Sequence, residues 1–177
     1  TEGRFKQLAG DYRVLHLATH GYFNKASPLL SGLELEPNRD DDGMLRVHEI
    51  LDLPLHADLV TLSACDTALG SGYFAEMPAG DEFVGLNRAF LAAGSASVMA
   101  TLWQVDDRAS VSLMKRFYGH LSESGNDHNA ANALALTQRA LRRSPQLEHP
   151  YYWAAYVVVG QINATVQVAR QSSGRTS

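Results

Sequence analysis

Residues 60–70 read VTLSACDTALG, and the only cysteine of the chain sits where the apolar run stops. Residues 59–64, LVTLSA, are β-branched and apolar with almost no polar interruption, which is the pattern of a strand covered on both faces. The same pattern returns at residues 14–19 (VLHLAT), 96–102 (ASVMATL) and 154–160 (AAYVVVG). Between these runs lie longer segments of helical period. Short buried strands alternating with helices predict an α/β layered fold with a mostly parallel central sheet flanked by helices.

The helices are read from their faces and their ends. Residues 81–93 put Phe83, Leu86 and Phe90 on one side, with acidic residues in the first turn and Gly94 as the stop. Asp107 is placed to cap a helix carrying Val111, Met114, Phe117, Tyr118 and Leu121, and Asn129 to cap one carrying Ala133, Leu134 and Leu141. Residues 47–52 predict a shorter helix. Residues 32–36 and 43–46 flank the acidic turn PNRDDD and predict a hairpin or an exposed loop. Residues 164–177 are polar and Ser-rich and are expected to form a loose or disordered tail, leaving 1–163 as the folded part.

The chain has 177 residues, of which 45% are hydrophobic and 19% charged, the composition of a soluble globular domain with a core of its own. A formal charge of −4, with no stripe of Lys or Arg, gives no electrostatic footprint for nucleic acid. No apolar stretch approaches the roughly 20 residues that a membrane-spanning helix needs. A single cysteine cannot form an intramolecular disulfide, which fits a reducing compartment and a cytoplasmic location.

In open α/β sheets, sites form beyond the carboxyl ends of the strands. Two of the expected strands end there in reactive residues, one in His20-Gly21 and the other in Cys65. If these strands are parallel neighbours, imidazole and thiol project from one edge of the sheet. An imidazole draws a thiol toward thiolate and can later protonate a leaving amine, so the pair contains what covalent acyl transfer needs. Gly21 has no Cβ, so its N–H can approach a substrate carbonyl and, with the Cys65 N–H, form an oxyanion hole. His16, four residues before His20, would suggest a metal site on a helix; on a strand the two lie about 13 Å apart, which makes His16 a sheet residue. This chemistry requires neither a metal nor an organic cofactor.

The stretches HLATHG (16–21), LSACDTALG (62–70), GLNRAFLAAGSASVMATLWQVDD (85–107) and HPYYWAAYVVVG (149–160) resemble, in this order, the CHAT domain, a caspase-like cysteine peptidase often found beside tetratricopeptide (TPR) repeats. The resemblance implies a caspase-type α/β fold with His20 and Cys65 as the catalytic dyad. Their separation is close to the roughly 50 residues between His and Cys in caspases. SACDT is not the caspase QACxG, so cleavage after Asp is not implied. LWQVDD is similar to a separase stretch in which an acidic residue receives a P1 arginine, a role that falls by position on Asp107, with Asp106 beside it. Asp107 as a simple helix cap is the alternative reading. Asp66, next to the nucleophile, could bind a basic side chain or serve only as a turn residue.

The family pattern usually begins well upstream of EGRFKQLAG, so the chain is expected to be the C-terminal catalytic portion of a longer protein. Its expected partners are a protein or peptide substrate and the upstream part of the same parent, with TPR repeats among the candidates; nucleic acid and membrane are not expected. The expected function is endopeptidase cleavage after a basic residue. The rival expectation is a non-catalytic or latent adaptor that keeps the fold and acts through protein contacts.

Overall fold

Why the runs found in sequence become strands is visible in what each one buries. The structure, a computed structural model, describes residues 1–24, 26–63, 81–103, 105–123, 129–161 and 164–167. Four strands, β1 (Val14–Leu17), β5 (Leu59–Leu62), β6 (Ser97–Thr101) and β7 (Tyr156–Gly160), form the central sheet in the order β1-β5-β6-β7. β1, β5 and β6 are parallel and β7 is antiparallel to β6. All four residues of β5 are buried, as its unbroken apolarity predicts for a strand covered on both faces.

The two faces feed two cores. Leu15, Leu17, Val60, Leu62, Val98 and Ala100 turn to the side of α2 (Val47–Leu51) and α3 (Asp81–Ala92), where Ile50, Leu86 and Phe90 are fully buried. Leu59, Met99 and Tyr156 turn to the opposite side, against α4 (Asp107–Ser122) and α5 (Ala130–Leu141). The domain is therefore α/β, with a mixed, mostly parallel sheet flanked by helices, as the sequence predicts.

α4 buries Ala109, Leu113, Met114, Phe117 and Leu121, a stripe of i, i+4 spacing. Val111, expected on that stripe, lies off it by half a turn and is 53% exposed. The cap also differs from expectation. Asp106 is the N-cap, extended at φ −55° and ψ 135°, and its carboxylate accepts from Arg108 N and Ala109 N, both at 3.0 Å. Asp107 is the first helical residue instead. Asn129 caps α5 as expected, accepting from Ala131 N at 2.8 Å and Asn132 N at 3.2 Å.

A second, antiparallel sheet runs β2-β3-β4, from β2 (Gly21–Tyr22), β3 (Gly32–Glu34) and β4 (Met44–Arg46). The hairpin expected around the acidic turn is β3-β4, and Gly43 closes the turn at φ +86°, where a side chain would be strained. The turn is fastened to α1 (Glu2–Leu8). Glu2, 1% exposed, accepts from Gly43 N at 2.8 Å. Lys6 reaches Glu2 at 2.5 Å, Asp41 at 2.9 Å and Glu49 at 2.6 Å.

Residues 164–167, expected to begin a loose tail, instead pack on the domain. Thr165 bridges to Asn129, Val166 is buried, and Gln167 N donates to Asp58 Oδ2 at 3.0 Å. Asp58 in turn receives the Arg13 guanidinium at both oxygens. Residues 168–177 lie outside the described residues.

Candidate active site

β1 and β5 are adjacent and parallel, with Leu17 opposite Leu62, and Ser63 N donates to Leu17 O at 2.9 Å just beyond that rung. His20 and Cys65 each follow that rung by three positions in sequence. β1 is shorter than the run 14–19 because the chain leaves the central sheet after Leu17 and enters β2 at Gly21. His20 thus sits in the bend between the two sheets, exposed, with its carbonyl accepting from Glu34 N at 2.8 Å. The Thr19 hydroxyl donates to Glu34 O and fastens the same bend. Cys65 and Asp66 lie outside the described residues.

Gly21 is buried and opposite Leu33 in the β2-β3 ladder. Because Glu34 N–H bonds to the His20 carbonyl, positions 21 and 33 form a non-hydrogen-bonded pair of that ladder. The Gly21 N–H therefore points away from β3. A glycine there leaves that donor unshielded by a side chain.

Further along the same edge, Asp106 and Asp107 are both exposed where β6 passes into α4. The Asp106 carboxylate is occupied by the helix cap. Asp107 takes no part in that cap and presents its carboxylate from the first turn. The loop before it is held by Trp103 Nε1, which donates to Tyr151 O at 3.1 Å. His149 caps the short 3-10 turn Pro150–Tyr152 by accepting from Tyr151 N at 3.2 Å. Both segments lie at the carboxyl edge because β7 starts where antiparallel β6 ends.

His16, the sheet residue expected from sequence, belongs to a polar cluster at the ends of β1 and β5 that the sequence did not bring together. His16 and Thr61 are partners across the ladder. The Tyr118 hydroxyl, reaching down from α4, donates to Thr61 Oγ1 at 3.0 Å and lies 3.2 Å from His16 Nδ1. His16 Nε2 is 3.2 Å from Ser63 Oγ. Partial burial of the ring holds the His16 pKa below the usual histidine value, and burial pushes the Tyr118 hydroxyl above the usual tyrosine value. The available signal was a histidine, a threonine and a serine inside runs otherwise apolar. Among the described residues, no three His, Cys, Asp or Glu side chains are grouped to hold a metal ion, and no helix is long and apolar enough to cross a membrane.

On the open side of β1 runs a groove of about 370 Å³ lined by Phe5, Leu8 and Tyr12 and by the strand itself. Arg13 and Leu17 carbonyls accept from β5, so by strand alternation the N–H and C=O groups of Val14 and His16 point into this groove.

Comparison with known proteins adds a second line. A family model described as the CHAT domain matches residues 1–161. Tetratricopeptide repeat protein 28 of Mus musculus is 33% identical over 117 residues, which is 66% of this chain and 4% of that protein. The Homo sapiens protein of the same name is 31% identical over 117 residues, again 66% of the chain and 4% of the relative. The chain thus spans only a small part of the curated relatives it matches.

Proposed function

The chain belongs to the CHAT domain family, which is of caspase-like peptidase type, and on that premise we propose that it is a cysteine endopeptidase with His20 and Cys65 as its dyad. The observation that carries the reading is the parallel register of β1 and β5. It brings the two strand ends that lead to His20 and Cys65 side by side at the carboxyl edge of the sheet.

In this reading, His20 takes the thiol proton and the Cys65 thiolate attacks the scissile carbonyl carbon. The resulting oxyanion is held by the N–H groups of Gly21 and Cys65, the first of which is free of the β2-β3 ladder. The imidazolium then protonates the leaving amine and the amine departs, which leaves a thioester. Water attacks the thioester, gives its proton to His20, and releases the acid and the thiol. Asp107 is the carboxylate proposed to receive a basic P1 side chain, with Asp106 and Asp66 as neighbours. No metal or organic cofactor enters this sequence of steps. The relatives' names support an association with TPR repeats in a longer parent, and the proposed location is the cytoplasm.

The test compares His20→Ala and Cys65→Ala with the unchanged protein. The expected result is loss of substrate cleavage in both, and loss of rapid Cys65 labelling by a thiol-directed acyl electrophile in His20→Ala. Labelling that ignores His20 would favour a non-catalytic adaptor.

A further inference from the structure

We propose that His16, clamped between Tyr118 and Ser63, is a positioning residue for the reaction at Cys65, a role that rests on the dyad reading above. The cluster joins three elements. His16 stands on β1, the strand that leads to His20. Ser63 follows β5, two positions ahead of Cys65 in sequence. Tyr118 stands on α4, whose first turn carries Asp107. One imidazole therefore links the ends of the two strands that lead to His20 and Cys65, and ties them to the helix that carries the candidate P1 carboxylate.

The hydrogen-bond pattern assigns a direction to the clamp. Tyr118 has one hydroxyl proton, and it goes to Thr61 Oγ1, which is fully buried. The Tyr118 oxygen therefore receives the His16 Nδ1–H, and Nε2 is left as an acceptor for the Ser63 hydroxyl. This requires a neutral ring of one tautomer, in keeping with the partial burial that lowers its pKa. Tilted packing of the two rings, with centroids 5.7 Å apart, adds a second constraint on the imidazole plane. Ser63 is thereby fixed twice, at its N–H by Leu17 O and at its hydroxyl by His16. Ser63 is thus a fixed point two positions before the proposed nucleophile in sequence, and in a reaction of this kind a misplacement of about 1 Å costs on the order of a hundred-fold in rate.

The test uses the intact natural protein with His16→Ala, His16→Gln, His16→Asn and Tyr118→Phe. Two quantities are read: the His20-dependent rate of Cys65 alkylation by iodoacetamide, and hydrogen exchange of the Ser63 amide. His16→Ala should slow alkylation by about ten- to a hundred-fold and speed Ser63 exchange by about ten-fold. A glutamine amide reaches the Nε2 position and can accept from Ser63, whereas an asparagine amide reaches only the Nδ1 position. His16→Gln should therefore restore both quantities to within about three-fold, and His16→Asn should not. Tyr118→Phe should fall between them. The proposal is overturned if His16→Ala changes neither quantity by more than about two-fold, or if asparagine restores them as well as glutamine. If His20→Ala leaves alkylation unchanged, the dyad reading fails by itself, and the Ser63 exchange rates still decide whether His16 holds the strand end.

Discussion

Asp106 and Asp107 are adjacent carboxylates of which the cap engages only the first, so under the proposed function their alanine variants should separate stability from selectivity. Asp106 accepts two backbone N–H bonds at 3.0 Å from the first turn of α4. Removing an N-cap of this kind costs about 1 kcal/mol, up to ~2. For a domain of this size that is about 2–8 °C in melting temperature. Asp107 contributes to the fold only through its place in the first turn, about 0.3 kcal/mol at an exposed position. In the proposed complex, however, Asp107 pairs with the substrate guanidinium. Because the carboxylate is exposed before binding, the lower end of the range for truncating such a pair applies, about 2 kcal/mol or ~30-fold. The assay is the ratio of kcat/KM for two peptides that differ only in Arg against norleucine at P1, with thermal melting in parallel. Asp107→Ala should collapse the ratio by about 30-fold and leave melting and Cys65 alkylation nearly unchanged. Asp106→Ala should lower melting and keep the ratio within about three-fold. A ratio that survives Asp107→Ala, or one that collapses in Asp106→Ala alone, would refute the assignment and move the basic-residue role to Asp106 or Asp66.

The other predictions concern the frame around the site. Lys6→Ala leaves the buried Glu2 carboxylate without its cation and should cost about 2–3 kcal/mol by urea denaturation. The Lys6 ammonium holds the Asp41 carboxyl below its usual pKa, and does the same for Glu49 against the opposing effect of burial. That stabilisation is complete above about pH 5 and is lost as pH falls through the lowered values, so melting temperature should fall more steeply below about pH 5 in the unchanged chain than in Lys6→Ala. Phe117→Ala should cost about 3–5 kcal/mol and Val111→Ala under about 0.5, a contrast that checks the face of α4. The chain of residues 1–177 should self-associate through the open side of β1 at about 100 μM in sedimentation, and Tyr12→Lys, which puts a charge in that groove, should suppress it; a monodisperse, fully active monomer would contradict this. Asp58→Ala should destabilise by about 2–3 kcal/mol, since Arg13 loses its partner and Gln167 N its acceptor, while Cys65 alkylation stays within about two-fold.

The central sheet was legible because β5 and β6 bury every residue and β1 and β7 keep an apolar run beside them, although such a run does not mark where β1 ends. Helices α4 and α5 were legible for the related reason that one stripe of each is buried. The small sheet was only half legible. Its β3-β4 hairpin showed through the acidic turn, but β2 has two residues, and nothing local announces that Gly21 pairs with Leu33. The choice between Asp106 and Asp107 as cap was invisible, since both residue types cap equally well and the outcome depends on where the backbone leaves its extended course. The packed segment 164–167 was missed because its composition is polar, whereas one Val and one backbone N–H anchor it. Within the candidate site, strand-end logic gives the place of His20 and Gly21 just beyond β1. It does not give the Tyr118, Thr61 and Ser63 cluster, because its members are distant in sequence and meet only after α4 has packed on the sheet.

The two ends of the central sheet are built on different principles, and the difference bears on function. At the amino end, side chains are fully paired: Arg13 grips Asp58, the Ser97 hydroxyl donates to the Asp58 carbonyl at 2.6 Å, and the 164–167 segment closes over them. At the carboxyl end, by contrast, polar side chains are linked to one another at different depths, Thr61 buried, Ser63 and Tyr118 half-buried and His16 exposed. His16, Thr61, Ser63 and Tyr118 are linked there, and the Thr101 hydroxyl, on a residue 1% exposed, has no hydrogen-bond partner among the described residues. Apolar residues of the same shape would pack as well and avoid the cost of a buried polar atom, about 1–3 kcal/mol when unpaired. Buried polar groups occur at both ends, Asp58 and Ser97 at one and Thr61 and Thr101 at the other, and of these four only the Thr101 hydroxyl lacks a partner among the described residues. A cost left standing at the carboxyl end alone is what an edge shaped to hold the proposed pair of His20 and Cys65, and not only to pack, would show.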